Sequence, residues 1–423
     1  MIHVLRQRNF ALLWAGGLVS WIGNWMLFVA LPVYVYRATG STLATGTMAI
    51  AELLPTVLFG SVAGIFVDRW DRKRTLVVTN LILTAALLPL LLVASHRWLW
   101  PVYVVGFVES SLSQFLTAET ALLPLLVGGE HLVAANSLNS MNRNIARLVG
   151  PALGGLLAVA IGLGGVTLID AASYAFAAAM TALVTVPATP SEPRERLAGA
   201  VTQVAGPWKA MWREWVDGLR VVRRDRMIYG IFVVYACSAL AEGCLGPLFV
   251  AFATAVVHGG PLGYGWLLSA QAVGGIAGSL VVGRFGHAFR PTHLIAIGMT
   301  LLGLIDMAIW NIHVIGIDLI LMAIVGVPVA GFAAGSTTLL QTQVEDRFRG
   351  RLLGTLNTSM APLMAAGMLT SGALAGIIGI VPMLDVSASF DLAAGAAGFL
   401  LLVRRARQPH GVPDAETDPV APF

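Results

Sequence analysis

Glu52, Glu109 and Glu242 each sit deep within a long apolar run, with Glu119 nearer one end of its run and Asp306 nearer the end of another. A lone charge in hydrocarbon costs at least about 2.5 kcal/mol, so an ionisable side chain kept there marks a path for a solute or an ion. Loss of water penalises the charged form of a carboxyl group, which allows it to take up and release a proton near neutral pH. No Lys or Arg is expected equally deep, so none of these acids has an obvious ionic partner. The chemistry on offer is reversible proton binding, with Glu109 and Glu242 as first candidates and Glu52 and Glu119 behind them. For each, the alternative is a structural role, protonated or hydrogen-bonded in place.

Other chemistries are poorly supported. Lys73 and Lys209 are the only lysines and neither follows a glycine, so a Gly-Lys-Ser/Thr phosphate loop is missing. The histidines, from His3 to His410, fall at expected loops, tails or helix ends, which argues against a buried metal site. No metal, no cofactor and no enzymatic activity are expected. Cys237 and Cys244 lie on one expected helix, about 10 Å apart in rise, too far for a disulfide.

The elements that must position the acids are membrane helices. The chain is 57% hydrophobic and only 11% charged, with a mean hydropathy of +0.80, against a charged fraction of about 25% in soluble domains. About 20 apolar residues span the hydrocarbon, and about twelve such segments are legible: 10–36, 43–67, 75–94, 99–126, 137–161, 166–186, 228–257, 263–285, 294–311, 315–340, 352–378 and 381–403. Of the 26 Lys and Arg residues only Arg37 and Arg97 fall in loops on the far side if the N-terminus is cytoplasmic. By the positive-inside rule this expects both termini in the cytoplasm, in a multi-pass protein of the inner (cytoplasmic) membrane. The first apolar segment lacks a small-residue cleavage site and is read as a retained helix. The basic surplus of +4 is membrane anchoring rather than nucleic-acid binding.

A hydrophilic interruption divides the chain near its middle. The expected division is 1–186 for a first six-helix half, 187–226 for a cytoplasmic linker, 227–403 for a second half and 404–423 for a Pro-rich, acidic cytoplasmic tail. Within the linker Trp208, Met211, Trp212, Trp215, Leu219 and Val222 recur at helical spacing amid arginines. That composition suits a helix in the headgroup layer, with a solvated linker as the alternative. A weak repeat relates Asp68-Arg69-Trp70 to Gly283-Arg284-Phe285, the second copy lacking the carboxylate. The fold class expected is all-α, polytopic, with two pseudo-symmetric six-helix halves.

Between the second and third segments runs Gly64-Ile-Phe-Val-Asp68-Arg69-Trp-Asp71-Arg72-Lys73-Arg74, a knot of both charge signs read as a short aqueous loop. It resembles the loop between helices 2 and 3 of the major facilitator superfamily, whose plan is two six-helix halves rocking around a central site. Gly150-Pro151-Ala-Leu-Gly154-Gly155 resembles a motif of that superfamily's antiporters, with close helix packing as the plain alternative. Phe115-Leu-Thr-Ala-Glu119, Ala135-Asn136-Ser137, Glu52-Leu-Leu-Pro55 and Gly218-Leu-Arg220, taken in order, are similar to the macrolide-efflux and enterobactin-exporter branch of the drug:proton antiporters. Asn24 stands where that branch often carries an Asp.

The resemblance implies a latch of Gly64, Asp68, Arg69 and Arg72, with Asp68 docking near the start of helix 11, around Gly350 to Gly354, when the transporter faces outward. It implies a substrate cavity between the halves, for which Asn24, Gln114, Gln271 and Asn357 are polar candidates and Trp25 and Tyr235, with Trp21 and Phe28, are aromatic ones. The expected function is proton-coupled efflux of a hydrophobic or amphiphilic small molecule by alternating access, with protons and the lipid bilayer as further partners. Export of a siderophore or metabolite, nutrient symport, and a non-transporting receptor or assembly partner are the rival readings.

Overall fold

Backbone N–H and C=O groups that cross a membrane must find partners within the chain, which leaves the helix as the form for these apolar runs. In the computed structural model, which describes residues 2–96, 98–186, 220, 222, 225–343 and 346–404, the described residues form helices joined by short turns and contain no strand. The first half holds α1 (Arg8–Thr39), α2 (Thr42–Arg69), α3 (Arg72–Leu87, resuming at Leu90–His96), α4 (Trp100–Ser113, a tighter turn Gln114–Thr117, then Ala118–Val127), α5 (Leu132–Ala160) and α6 (Gly162–Ala182). The second holds α7 (Arg226–Ala251), α8 (Gly260–Phe285), α9 (Pro291–Ile312), α10 (Ile315–Gln343), α11 (Asp346–Ile378) and α12 (Ile380–Ala397). Ten of the twelve are long and apolar enough to cross a membrane. The exceptions have physical causes: α4 is split by its tighter turn, and α5 carries Asn139, Asn142, Arg143, Asn144 and Arg147.

Packing repeats between the halves. In the first, α1 packs on α5 and α6, α2 on α4, and α3 on α6; in the second, α7 packs on α11 and α12, α8 on α10, and α9 on α12. The halves meet along α5 with α8 and along α2 with α11, again a symmetric pair. The expectation of two related six-helix halves is met.

The antiporter-like motif lies in the α5 seam. A Cβ on Gly150 would strike the Trp25 side chain, and one on Gly154 would meet the Met26 backbone, both on α1. A Cβ on Gly155 would run into the Pro261 carbonyl of α8, while one on Gly265 of α8 would hit the carbonyl of Pro151. On the symmetric side the Thr42 hydroxyl donates to the Gly372 carbonyl at 2.7 Å, and Gly46 lies against the Met368 carbonyl. The contacts between the halves, α5 with α8 and α2 with α11, lie toward the helix ends opposite the chain termini. Toward the terminal end α5 and α8 part around a gap of about 680 Å³, lined by Asn136, Ser137, Ser140 and Asn144 of α5 and reaching Ile276 of α8.

Three expectations change. The charged knot is not all loop: α2 runs to Arg69 and α3 starts at Arg72, its first turn capped by Asp71, whose Oδ1 accepts from the Arg74 amide at 2.7 Å. The α6 helix starts at Gly162 rather than 166, and α5 at Leu132 rather than 137. The linker helix and the tail lie outside the described residues apart from Arg220, Val222, Asp225, Arg226 and Arg404.

Candidate functional site

Two acid-lined cavities open partway along the helices, one in each half. In the first, Asn24 lies midway along α1 and donates through Nδ2 to Glu109 Oε1 at 2.9 Å and to the Tyr174 hydroxyl at 3.1 Å. Tyr174, fully buried on α6, donates to the same Glu109 oxygen at 3.2 Å. Two helices thus direct donors at one carboxylate oxygen of α4. Glu52 of α2 faces them across a cavity of about 170 Å³ that Phe28, Gly106 and Ser110 also line. Ser110 fixes the wall by donating to the Glu52 backbone carbonyl. Behind the network Asp170 of α6 is wholly buried, accepting from the Ser173 hydroxyl at 3.0 Å while its Oδ2 meets no donor. Gly23 makes this possible, since a Cβ there would collide with Asp170 and Ser173.

In the second half Glu242 of α7, Asp306 of α9 and Asp391 of α12 line one cavity of about 160 Å³. Glu242 stands as far along α7 from Arg226 as Asn24 does along α1 from Arg8, and Asp391 is on the helix corresponding to that of Asp170. Phe249, Tyr264, Leu268 and Met322 supply apolar walls, Ser238 and Gln271 polar ones. Phe28 of α1 lines both cavities, so a single exposed ring stands between the acids of the two halves.

No Lys or Arg is expected as deep as the acids, but α5 brings one close, although among the described residues it forms no ion pair with them. Arg147 donates to Gln271 Oε1 at 3.4 Å across the halves, its guanidinium lies 6.0 Å from the Trp25 ring, and its charge acts on Glu242. Arg143 acts in the same way on Glu119.

The candidates therefore separate. Asn24, Glu52 and Glu109 come together in the first cavity, Glu242 and Gln271 in the second. Glu119 is apart, accepting from Asn139 at 3.2 Å in a crevice shared with Gly17, Trp21 and Asn80. Gln114 donates to Thr56 at 3.2 Å and to the Ser110 carbonyl at 3.1 Å, and lines neither cavity. Tyr235 packs on Phe332, ring centroids 5.2 Å apart, rather than facing the acids. Trp25 meets Phe28 edge to face at 5.1 Å. The side chains of Gly64, Asp68, Arg69, Gly350 and Asn357 lie outside the described residues. Arg72 donates to the Ala121 carbonyl at 3.0 Å within its own half. Sequence reasoning missed Asp170, Asp391 and Tyr174, although an acid within an apolar run was a signal for the first two.

The family described as transmembrane secretion effector matches residues 2–419. Macrolide efflux protein A of Streptococcus pyogenes is 27% identical over 382 residues, covering 88% of this chain and 90% of that protein. Enterobactin exporter EntS of Citrobacter koseri is 27% identical over 408 residues, covering 94% and 92%. The multidrug efflux pump Tap of Mycolicibacterium fortuitum is 28% identical over 392 residues, covering 88% and 89%. Among solved structures the nucleoside transporter NupG (D323A mutant) matches at TM-score 0.72 and 14% identity, over 93% of this chain and all of that one. A bacterial homologue of the iron transporter ferroportin matches at TM-score 0.69 in its inward-facing state and 0.54 in its outward-facing state, at 16% identity in each, covering 95% and 94% of this chain and 99% of each matched chain. Twelve helices in two related halves, an acid-lined cavity in each and a match along nearly the whole chain place this protein in the transmembrane secretion effector family, a secondary efflux transporter of the macrolide-efflux and enterobactin-exporter branch of the major facilitator superfamily.

Proposed function

We propose that the chain exports a hydrophobic or amphiphilic, drug-like molecule in exchange for protons by alternating access. The observation that carries this reading is the pair of acid-lined cavities, one per half, joined at Phe28. Substrate sits in the second cavity, where apolar and aromatic walls take its body and Glu242, Asp306 and Asp391 favour a cationic or neutral molecule over a polyanion. Proton binding falls to Glu109 and Glu242, with Glu52 beside the first and Glu119 as an outlying reserve. A cation that enters favours the ionised carboxylate, and a bound proton disfavours the cation, so the two displace one another.

The terminal end is the cytoplasmic one on this reading, because the arginines crowd there. The chain then divides at 1–186, 187–226, 227–403 and 404–423, with the linker and both termini in the cytoplasm of the cell that bears the protein in its inner membrane. Contact at the far end and the gap at the terminal end then describe an inward-facing state, which the higher TM-score to the inward-facing ferroportin homologue also supports.

The test is export in proteoliposomes under an imposed pH gradient, with substrate-linked proton movement measured in parallel. A panel of drugs and siderophores, comparing a deletion strain with an overexpressing one, identifies the cargo. A siderophore or metabolite cargo is the second reading, favoured by the extent of the match to EntS. Absence of substrate-linked proton movement would leave an exporter or receptor of another kind.

A further inference from the structure

The turn between α8 and α9 carries basic residues with no acid to offset them. Arg284, His287 and Arg290 follow one another there, all exposed, and the chain has no acidic residue over 243–305. The corresponding turn of the first half intersperses its basic residues with Asp68 and Asp71, and Asp71 caps α3; at the start of α9 that place is held by Arg290. Among the described residues neither Arg284 nor Arg290 forms an ion pair. Beside these charges α8, α9 and α10 bound a groove of about 170 Å³, lined by Val281, Phe285, Phe289, Leu294, Leu301 and Gly331 among others and by no charged side chain. Val281, Phe285, Phe289 and Leu301 are exposed, so the groove opens outward rather than into the core. The Arg284 guanidinium lies 5.8 Å from the Phe285 ring, which ties the charge to the groove wall. Along α9 the lining runs from Leu294 to Leu301, about 10 Å of helix rise, and it begins one turn after Arg290.

We propose that this groove binds an anionic phospholipid, one acyl chain lying along α9 and α10 and the headgroup phosphate held by Arg284 and Arg290. Each part of the arrangement matches one part of that ligand. The apolar walls take hydrocarbon and offer a polar solute nothing, while a guanidinium donates to phosphate oxygens as a fork and keeps its charge in the headgroup layer. The groove descends from the charged turn into the span, as a lipid does in the leaflet on the side of the chain termini. A second copy of the chain fits less well, because a two-fold axis along the membrane normal would bring the arginines of both copies together. The groove also has a bearing on transport: α9 and α10 wall it through Leu301 and Pro328 and wall the second cavity through Leu302 and Val329. A lipid seated there braces the two helices that bound that cavity.

The test needs neither a transported substrate nor a proton gradient. Purified full-length protein is reconstituted in vesicles of equal parts phosphatidylglycerol and phosphatidylcholine and extracted into detergent, and the lipid it retains is counted by native mass spectrometry. The wild type is expected to keep phosphatidylglycerol in preference to phosphatidylcholine, each arginine contributing about fivefold to that preference. Arg284→Gln combined with Arg290→Gln should abolish the preference. Gly331→Leu should expel the retained lipid, since a side chain at that position extends into the groove. Lys73→Gln combined with Arg74→Gln removes the same charge at the same end of the first half and should change nothing. Arg284 and Arg290 are exposed, so their variant should melt as the wild type does and carries the test if Gly331→Leu does not fold. Inorganic phosphate added to the vesicles should not displace the lipid. Equal retention of the two lipids by the wild type, a loss in the Lys73 and Arg74 variant as large as in the Arg284 and Arg290 variant, a folded Gly331→Leu that still keeps the lipid, or displacement by inorganic phosphate overturns the proposal.

Discussion

Glu109 uses one oxygen for two donors, Asn24 and Tyr174, so its other oxygen is the one left to address the cavity. Glu109→Gln keeps the volume and removes the titration; pH-driven uphill export in proteoliposomes should be lost while downhill exchange remains. Glu242→Gln should do the same from the other half, and full uphill export in both variants would move the coupling role to Glu52 or Glu119. Tyr174→Phe, by contrast, removes a buried hydrogen-bonding group and should cost about 1 kcal/mol of stability, read as a lower melting temperature. The carboxylates of α2, α4 and α7 were legible because each interrupts an apolar run near its middle. Asp170 carried the same signal more weakly, because a start of α6 at 166 places it near a helix end, whereas the helix begins a turn earlier at Gly162. Arg147 escaped notice for the opposite reason: its apolar stem and Trp25 neighbour let a cation sit deeper in its span than a charge was expected to lie.

Among the elements, α5 carries the heaviest geometric demand. Its Gly150 and Gly154 edge fits α1, and its Pro151 and Gly155 edge fits α8, so one helix joins its own half to the other. Gly155→Val should drive α8 away, at a cost of about 1–3 kcal/mol to the state that closes the far end. Spin-label distances across that end should lengthen, with the same change expected for Gly265→Val and none for Gly354→Ala, which faces open space. Small residues announced close packing in the sequence, but not which helices they would meet, since that depends on how the two halves are docked. The tighter turn in α4 was likewise invisible, because neither Gly nor Pro marks Gln114–Thr117.

For the whole molecule, the helix count and the two related halves followed from the apolar runs and the central interruption, whereas the docking of the halves rests on long-range contacts that no local pattern encodes. A Cys placed at Gly206 should resist membrane-impermeant labelling from outside intact cells; labelling there would reverse the assigned sidedness. Asp68→Asn should reduce transport without reducing folded protein, and should move spin-label distances further toward the inward-open set. The seam at the far end is made by glycine, proline and threonine, with Arg37 near Gly260 as the charge beside it. The opposing end carries Asp68, Arg69, Asp71, Arg72, Lys73 and Arg74. Dissolved ions screen interactions of the second kind over about 8 Å at physiological strength and leave contacts of the first kind untouched. Ionic strength should therefore act as a one-sided control: concentrated salt weakens the charged closure alone, and the distance distribution of the unliganded protein should drift toward the conformation described above as salt is raised.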